Sequence, residues 1–215
     1  MLSDFLSPVE KDLRTYFKEL SKRSVGQQVF FYENELPTRK KHNIALLHAP
    51  EYRGSDLLEK TSDVLLLRRE LYQLTELHSS VRLVDMGDLK IGAKLKDSKA
   101  ALKSVSQELI QNGFTPVIIG GSHDLTIDII ESFNSKDQRP NLLIVDQKID
   151  LISESDHVND QNFLMEILSS EKIQLFDFNQ IGYQMHFTNP EALHTLDKLN
   201  FEAFRLSEIQ NKIED

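Results

Sequence analysis

Apolar residues along this chain form short unbroken runs, and the runs are separated by longer stretches in which apolar positions recur every three or four residues. That is the pattern of buried strands alternating with amphipathic helices. The runs predict strands at Asn43 to His48, Val81 to Val84, Pro116 to Gly120, Leu142 to Asp146 and Ile173 to Gly182. Val117 to Ile119 and Leu142 to Val145 are continuous rather than alternating, as expected of parallel strands covered on both faces. Helices are predicted over Ser62 to Leu77, Asp97 to Asn112, Thr126 to Phe133, Asn159 to Leu168 and Pro190 to Leu199. In Asp97 to Asn112, the residues Leu102, Val105, Leu109 and Ile110 share one face and Gly113 stands at the expected stop. Near the start, Ser7-Pro8-Val9-Glu10 has the Ser-x-x-Glu spacing of a capping box with proline at the first helical position. It predicts a helix to about Leu20, outside the sheet. Strands alternating with helices in this order imply an α/β fold of three layers, helix, sheet and helix, with a mostly parallel sheet.

In open α/β sheets, chemistry gathers beyond the carboxyl ends of the strands. His123 and Asp146 stand at such ends, and Asp146, Lys148 and Asp150 share a face if the chain stays extended. A cluster of one histidine and two aspartates follows. Gly120 and Gly121 let the backbone turn sharply at the strand end. Ser122 and Asp124 are both good N-cap residues for the helix that begins beside them, and one of the two is expected to cap it.

At these positions the chain resembles the ureohydrolase family of arginase, agmatinase and formimidoylglutamase. Members carry Gly-Gly-x-His after one strand, Asp-x-His-x-Asp after the next and a late Asp-x-Asp, which together hold two manganese ions. Gly120-Gly121-Ser122-His123 matches the first motif, and Asp146-Gln147-Lys148-Ile149-Asp150 matches the second except that Lys148 stands where the family has a ligating histidine. The nearest late approximation is Asp177-Phe178-Asn179. Arg53-Gly54 and Asp85-Met86-Gly87-Asp88 support the match more weakly, the latter also fitting an ordinary turn. The resemblance implies an arginase-like fold that lacks its carboxyl-terminal portion, with residues 1–40 a helical extension and 41–215 an incomplete domain, together one structural domain. It implies His123, Asp146 and Asp150 as metal ligands in a degenerate site and Mn²⁺ as the metal. Lys148 either places its ammonium between the two aspartates or faces solvent. An incomplete sheet would leave an unpaired edge near Ile173 to Gly182, which a second copy of the chain would cover, so a homo-oligomer is expected.

Composition narrows the partners. The 215 residues carry 34 acidic against 25 basic side chains and a net charge of −9, which argues against binding a nucleic-acid backbone. Cysteine is absent, excluding disulfides and thiolate ligands. No apolar run reaches membrane-spanning length and the start lacks the pattern of a secretory signal, so a cytoplasmic location is expected. His157 lies after the second motif in a stretch better suited to helix capping by Asp156 or Asn159, and His42, His48, His78, His186 and His194 show no ligand spacing. Two functions remain open. One is a family member without ureohydrolase activity that holds a small amidine or amino-acid-like ligand or assembles with partners. The other is a hydrolase of a linear amidine C–N bond, such as that of formimidoylglutamate, in the full-length protein.

Overall fold

The computed structural model describes residues 2–55, 63–133, 139–152 and 155–210. Met1–Arg53 with Leu57–Gly121 forms one compact unit, and Gly54–Asp56 with Ser122–Asp215 forms a second.

In the first unit, β1 (Leu6–Ser7), β2 (Phe30–Phe31), β3 (His42–His48), β4 (Val81–Leu89) and β5 (Thr115–Ile119) make one sheet. Its order is β1-β4-β3-β5, with β2 also on β4; every pairing is parallel except that of β1. The helices are α1 (Lys11–Lys18), α2 (Val25–Gln28), α3 (Val64–Gln73) and α4 (Leu95–Gln111). Phe17, Val25 and Tyr72 from the first three of these close over Leu46 and Leu83 of β3 and β4. Phe17 meets Tyr72 edge to face with ring centroids 4.7 Å apart. Burying each such side chain contributes about 1.5–3 kcal/mol. Helix α4 follows its predicted stripe, with Leu102, Val105 and Leu109 fully buried. The Asp97 carboxylate accepts from the Lys94 amide at its start (2.9 Å), and Gly113 ends it at φ 74°.

Two local expectations change. Ser7 does not cap a helix: it pairs with Asp88 in β1, and α1 begins only after Glu10. Asp85 to Asp88 is not a turn, because β4 runs through it to Leu89. Asp85 and Asp88 are paired with β3 on one side, and β1 comes close to β4 at Gly87. Gly87 adopts φ 79°, and a β-carbon there would lie 2.1 Å from the Ser7 carbonyl oxygen. Gly87→Ala is therefore expected to lower stability by about 2–4 kcal/mol in urea titrations, through backbone strain and the clash with β1. A loss under about 0.5 kcal/mol, the range of ordinary surface changes, would show that β1 moves aside freely.

In the second unit, β6 (Asn141–Val145), β7 (Asp177–Tyr183) and β8 (Glu202–Arg205) form a parallel sheet of order β6-β7-β8. Around it stand α5 (Thr126–Phe133), α6 (Phe163–Ser169), α7 (Pro190–Lys198) and α8 (Leu206–Gln210). Leu142 and Ile144 on one face of β6 pack into the cluster of Ile130, Phe163, Ile167 and Ile173. The opposite face is open, with Leu143 57% and Val145 73% exposed, so β6 is not covered on both sides as its sequence implied. Nor is the unpaired edge at Ile173 to Gly182. Strand β7 is the centre of its sheet, and the edges are β6 and β8. The predicted helix start at Ser62 lies outside the described residues; α3 is described from Val64, with the Asp63 carboxylate accepting from the Leu66 amide. Among the described residues, no helix is long and apolar enough to cross a membrane.

Candidate metal centre

Gly120 and Gly121, at φ 78° and 86°, turn the chain out of β5 and into a single 3-10 turn, His123–Leu125, that leads directly into α5. Only glycine adopts two successive left-handed residues at little cost. This turn raises His123 toward the loop that leaves the carboxyl end of β6. His123 Nδ1 lies 3.0 Å from Asp150 Oδ2 and 3.6 Å from Asp146 Oδ2, and one ligand atom from each of the three residues lies within 4.8 Å of the others. The three sequence-predicted residues therefore meet.

Burial grades across the cluster. The His123 side chain is 56% exposed, that of Asp146 20% and that of Asp150 10%. Phe163 stands edge-on to the imidazole, with centroids 5.9 Å apart. The hydrogen bond to Asp150 holds the His123 pKa above the usual imidazole value; partial burial works against this, and the charges of Asp150, Asp146 and Asp160 add to it. One imidazole nitrogen and two carboxylate oxygens suit a borderline to hard divalent cation such as Mn²⁺ or Zn²⁺. They fit one ion, and among the described residues no further group of this kind extends the cluster to a second.

The loop between the aspartates settles the place of Lys148. Its amide faces Asp146 Oδ1 at 3.4 Å, while its side chain is exposed and forms no ion pair among the described residues. The cation facing the two carboxylates is His123 when protonated. Asp177 and Asn179 cannot join them, because they open β7 at the amino end, where Asn179 donates to Asp177 (2.9 Å). Ser122 occupies the N-cap position, but its side chain makes no capping bond; its hydroxyl donates to Asp124 Oδ1 at 2.5 Å. Asp156 and Asn159 do not cap α6 either; Asn162 stands at its N-cap, and His157 pairs locally with the Ser155 hydroxyl (3.0 Å).

Other contributors escaped the motif. Asp160 binds the Ser55 hydroxyl, and its amide donates to the Gly54 carbonyl (2.9 Å). A β-carbon on Gly54 would lie 2.1 Å from Asp124 Oδ2, so glycine is required there for the buried Asp124 carboxylate to pack. Gln180, fully buried in β7, donates to the loop carbonyls of Lys148 (2.9 Å) and Asp146 (3.4 Å). Its burial left no mark in the sequence, where Asn179 and Gln180 stand as two adjacent polar residues of the same strand.

The Arginase family model matches residues 53–214, which include the whole His123, Asp146 and Asp150 cluster. The chain belongs to the arginase family. Its fold is similar to that of formimidoylglutamase from Bacillus subtilis subsp. subtilis str. 168, at 15% identity and TM-score 0.75 over 96% of this chain and 64% of that one. A formiminoglutamase from Trypanosoma cruzi, solved with Mn²⁺, is 18% identical with TM-score 0.69, covering 82% of this chain and 65% of its own. A hypothetical agmatinase from Burkholderia thailandensis is 15% identical with TM-score 0.64, over 84% and 58% of the two chains. This arginase-family chain thus spans just under two-thirds of the length of the first two solved structures. At such identities these likenesses concern the fold. No curated protein sequence is similar enough to match.

Proposed function

We propose that this arginase-family chain binds a single divalent metal ion, Mn²⁺ by preference, through His123, Asp146 and Asp150, and that by itself it does not hydrolyse amidines. The convergence of the three donor atoms within 4.8 Å carries the reading. A bound divalent ion supplies Lewis acidity and lowers the pKa of water. The chain's own residues do the rest: Asp150 orients the imidazole through Nδ1, and Phe163 shields one edge of that ring from water. Lys148, at the family's middle ligand position, is exposed and offers no lone pair while charged. The family's paired-ion chemistry would thus lack a ligand here.

A second reading has its own support, since the similar solved structures include formimidoylglutamases. In it, the whole protein hydrolyses a linear amidine of the formimidoylglutamate type, and His123, Asp146 and Asp150 supply part of a larger site.

Manganese titration followed by the electron paramagnetic resonance of free Mn²⁺ tests the first reading. The expected result is one site per chain that empties on dialysis against a weak chelator, with no turnover of formimidoylglutamate. Two ions retained per chain, or turnover by this chain, would overturn it in favour of the hydrolase. Absence of any Mn²⁺ or Zn²⁺ binding would overturn both readings of the cluster.

A further inference from the structure

The loop that carries both aspartates is tied to β7 and to the residue that follows it. The Asp146 amide donates to the Ile181 carbonyl (3.0 Å), and the Gln184 amide donates to the Gln147 carbonyl (2.9 Å). Beyond Gln147, the backbone of β7 makes no further contact of this kind with the loop among the described residues. The next carbonyl, that of Lys148, is held by a side chain instead: Gln180 Nε2 reaches it at 2.9 Å and also lies 3.4 Å from the Asp146 carbonyl. The amide orientation is fixed by these partners, because exchanging oxygen for nitrogen would set an acceptor against two carbonyl oxygens. Gln180 Oε1 is buried and has no hydrogen-bond partner among the described residues.

This arrangement is unfavourable for the fold alone. A fully buried amide in the central strand of a sheet, with one acceptor unsatisfied, is a poorer choice than leucine or methionine of similar volume. Its two donor contacts both fall on the segment between the metal-binding carboxylates. Lys148 is followed by Ile149, whose buried side chain enters the core, and then by Asp150, whose carboxylate faces His123. Holding the Lys148 carbonyl therefore sets the direction in which the chain reaches Asp150.

We propose that Gln180 is a positioning residue for this centre: its side-chain amide clamps the Asp146–Asp150 loop to β7 so that both carboxylates face His123. The proposal rests on the single-ion reading, and it also makes a claim about the metal-free chain. Ligand geometry set by residues outside the ligands commonly changes metal affinity by about 10–100-fold.

Gln180→Met tests it in the full chain by two measurements. Amide hydrogen exchange in the metal-free protein should accelerate at 147–150 by about tenfold or more, while the remaining strands exchange as before. Manganese affinity should fall by about tenfold or more. The melting temperature should stay within a few degrees, because removing the orphaned Gln180 oxygen offsets the hydrogen bond lost at the Lys148 carbonyl. If Gln180 serves only the fold, the variant will melt earlier and exchange will rise across the sheet rather than in the loop, which overturns the proposal. Unchanged exchange at 147–150 with unchanged Mn²⁺ affinity also overturns it. Should the variant fail to fold, the unsubstituted chain decides by nuclear magnetic resonance: the Gln180 side-chain amide must show a hydrogen-bond coupling to the Lys148 carbonyl, and its absence overturns the clamp. If the unsubstituted chain binds no Mn²⁺, the metal reading fails while the exchange measurement still decides the clamp.

Discussion

Replacing Arg68 by methionine is expected to destabilise the first unit by about 3–5 kcal/mol, the cost of leaving a buried carboxylate without its counter-charge. Arg68 and Asp85 are almost wholly out of solvent and form a two-point pair, Nε to Oδ2 at 2.9 Å and Nη2 to Oδ1 at 3.1 Å. The same guanidinium reaches Asp88 Oδ1 (3.0 Å) and the Gly87 carbonyl (3.1 Å), so it ties α3 to the end of β4. Tyr72, one helical turn later, donates to Asp85 at 2.5 Å. Burial first, and then the neighbouring Asp85 charge, push the Tyr72 hydroxyl far above its ordinary phenol value, so it remains a neutral donor. Among the described residues, Arg68→Met would leave Asp85 with Tyr72 and the Gly87 amide. Arg68→Lys should fall between, since an ammonium keeps the charge but cannot match both carboxylate oxygens. Urea titration measures all of these. The decisive comparison is Arg68→Met with Asp85→Leu, which removes both charges and should recover at least half the loss. If the double variant is no better than the single, the orphaned charge is not the main source of the loss, which then lies in packing and in the Tyr72 and Gly87 donors left without Asp85.

Asp88 adds an acid limb to the same cluster. Burial opposes its ionisation, but the hydrogen bond from His48 and the Arg68 charge outweigh burial and hold its carboxyl below the usual range. A group shifted in this direction stabilises the fold above its ordinary pKa, and the contribution is lost as pH falls through the lowered value.

This network shows where the sequence was silent. Strands β3 to β7 and the helices between them were legible, because an apolar run or a 3.6-residue stripe records burial directly. His123, Asp146 and Asp150 were legible for another reason: they follow the ends of apolar runs, where the chain leaves a strand and polar side chains are free to gather. Arg68, Asp85 and Gln180 left no such trace. A buried polar residue interrupts a hydrophobic pattern in the same way an exposed one does, and only its distant partner distinguishes the two. Arg68 and Tyr72, spaced four apart in LLLRRELY, share a helix face, and Asp85 interrupts the apolar run LVDM, but nothing in the chain pairs one with the other. The edge strands β1 and β8 were missed similarly. Leu6–Ser7 is too short to show a period, and Glu202–Arg205 carries the polar residues of an edge. Lys148 shows the opposite case, a motif position whose spacing was right while its side chain turned to solvent.

The other large effect belongs to the cluster itself. If the proposed centre holds, Asp150→Ala removes one of its ligands and the group that orients His123, so Mn²⁺ affinity should fall by at least the hundredfold that marks the upper end for residues merely supporting a ligand. The same variant should simplify the pH dependence. In the metal-free parent, His123 is held above its ordinary pKa, chiefly by its hydrogen bond to Asp150. A histidine shifted upward stabilises the fold fully below its unfolded pKa, and that contribution disappears as pH rises through the folded value. Metal binding runs the other way, because the imidazole must shed its proton to offer a lone pair. Between about pH 6 and 8, where histidines titrate, Mn²⁺ affinity of the parent should therefore rise with pH. Below the folded pKa of His123 the slope should approach about tenfold per pH unit, with one proton released per ion bound. Calorimetry in buffers of different ionisation enthalpy counts that proton directly. An affinity flat across this range with no proton released would mean that His123 is not a ligand, and the cluster would then be an ion pair joining the turn after β5 to the loop after β6.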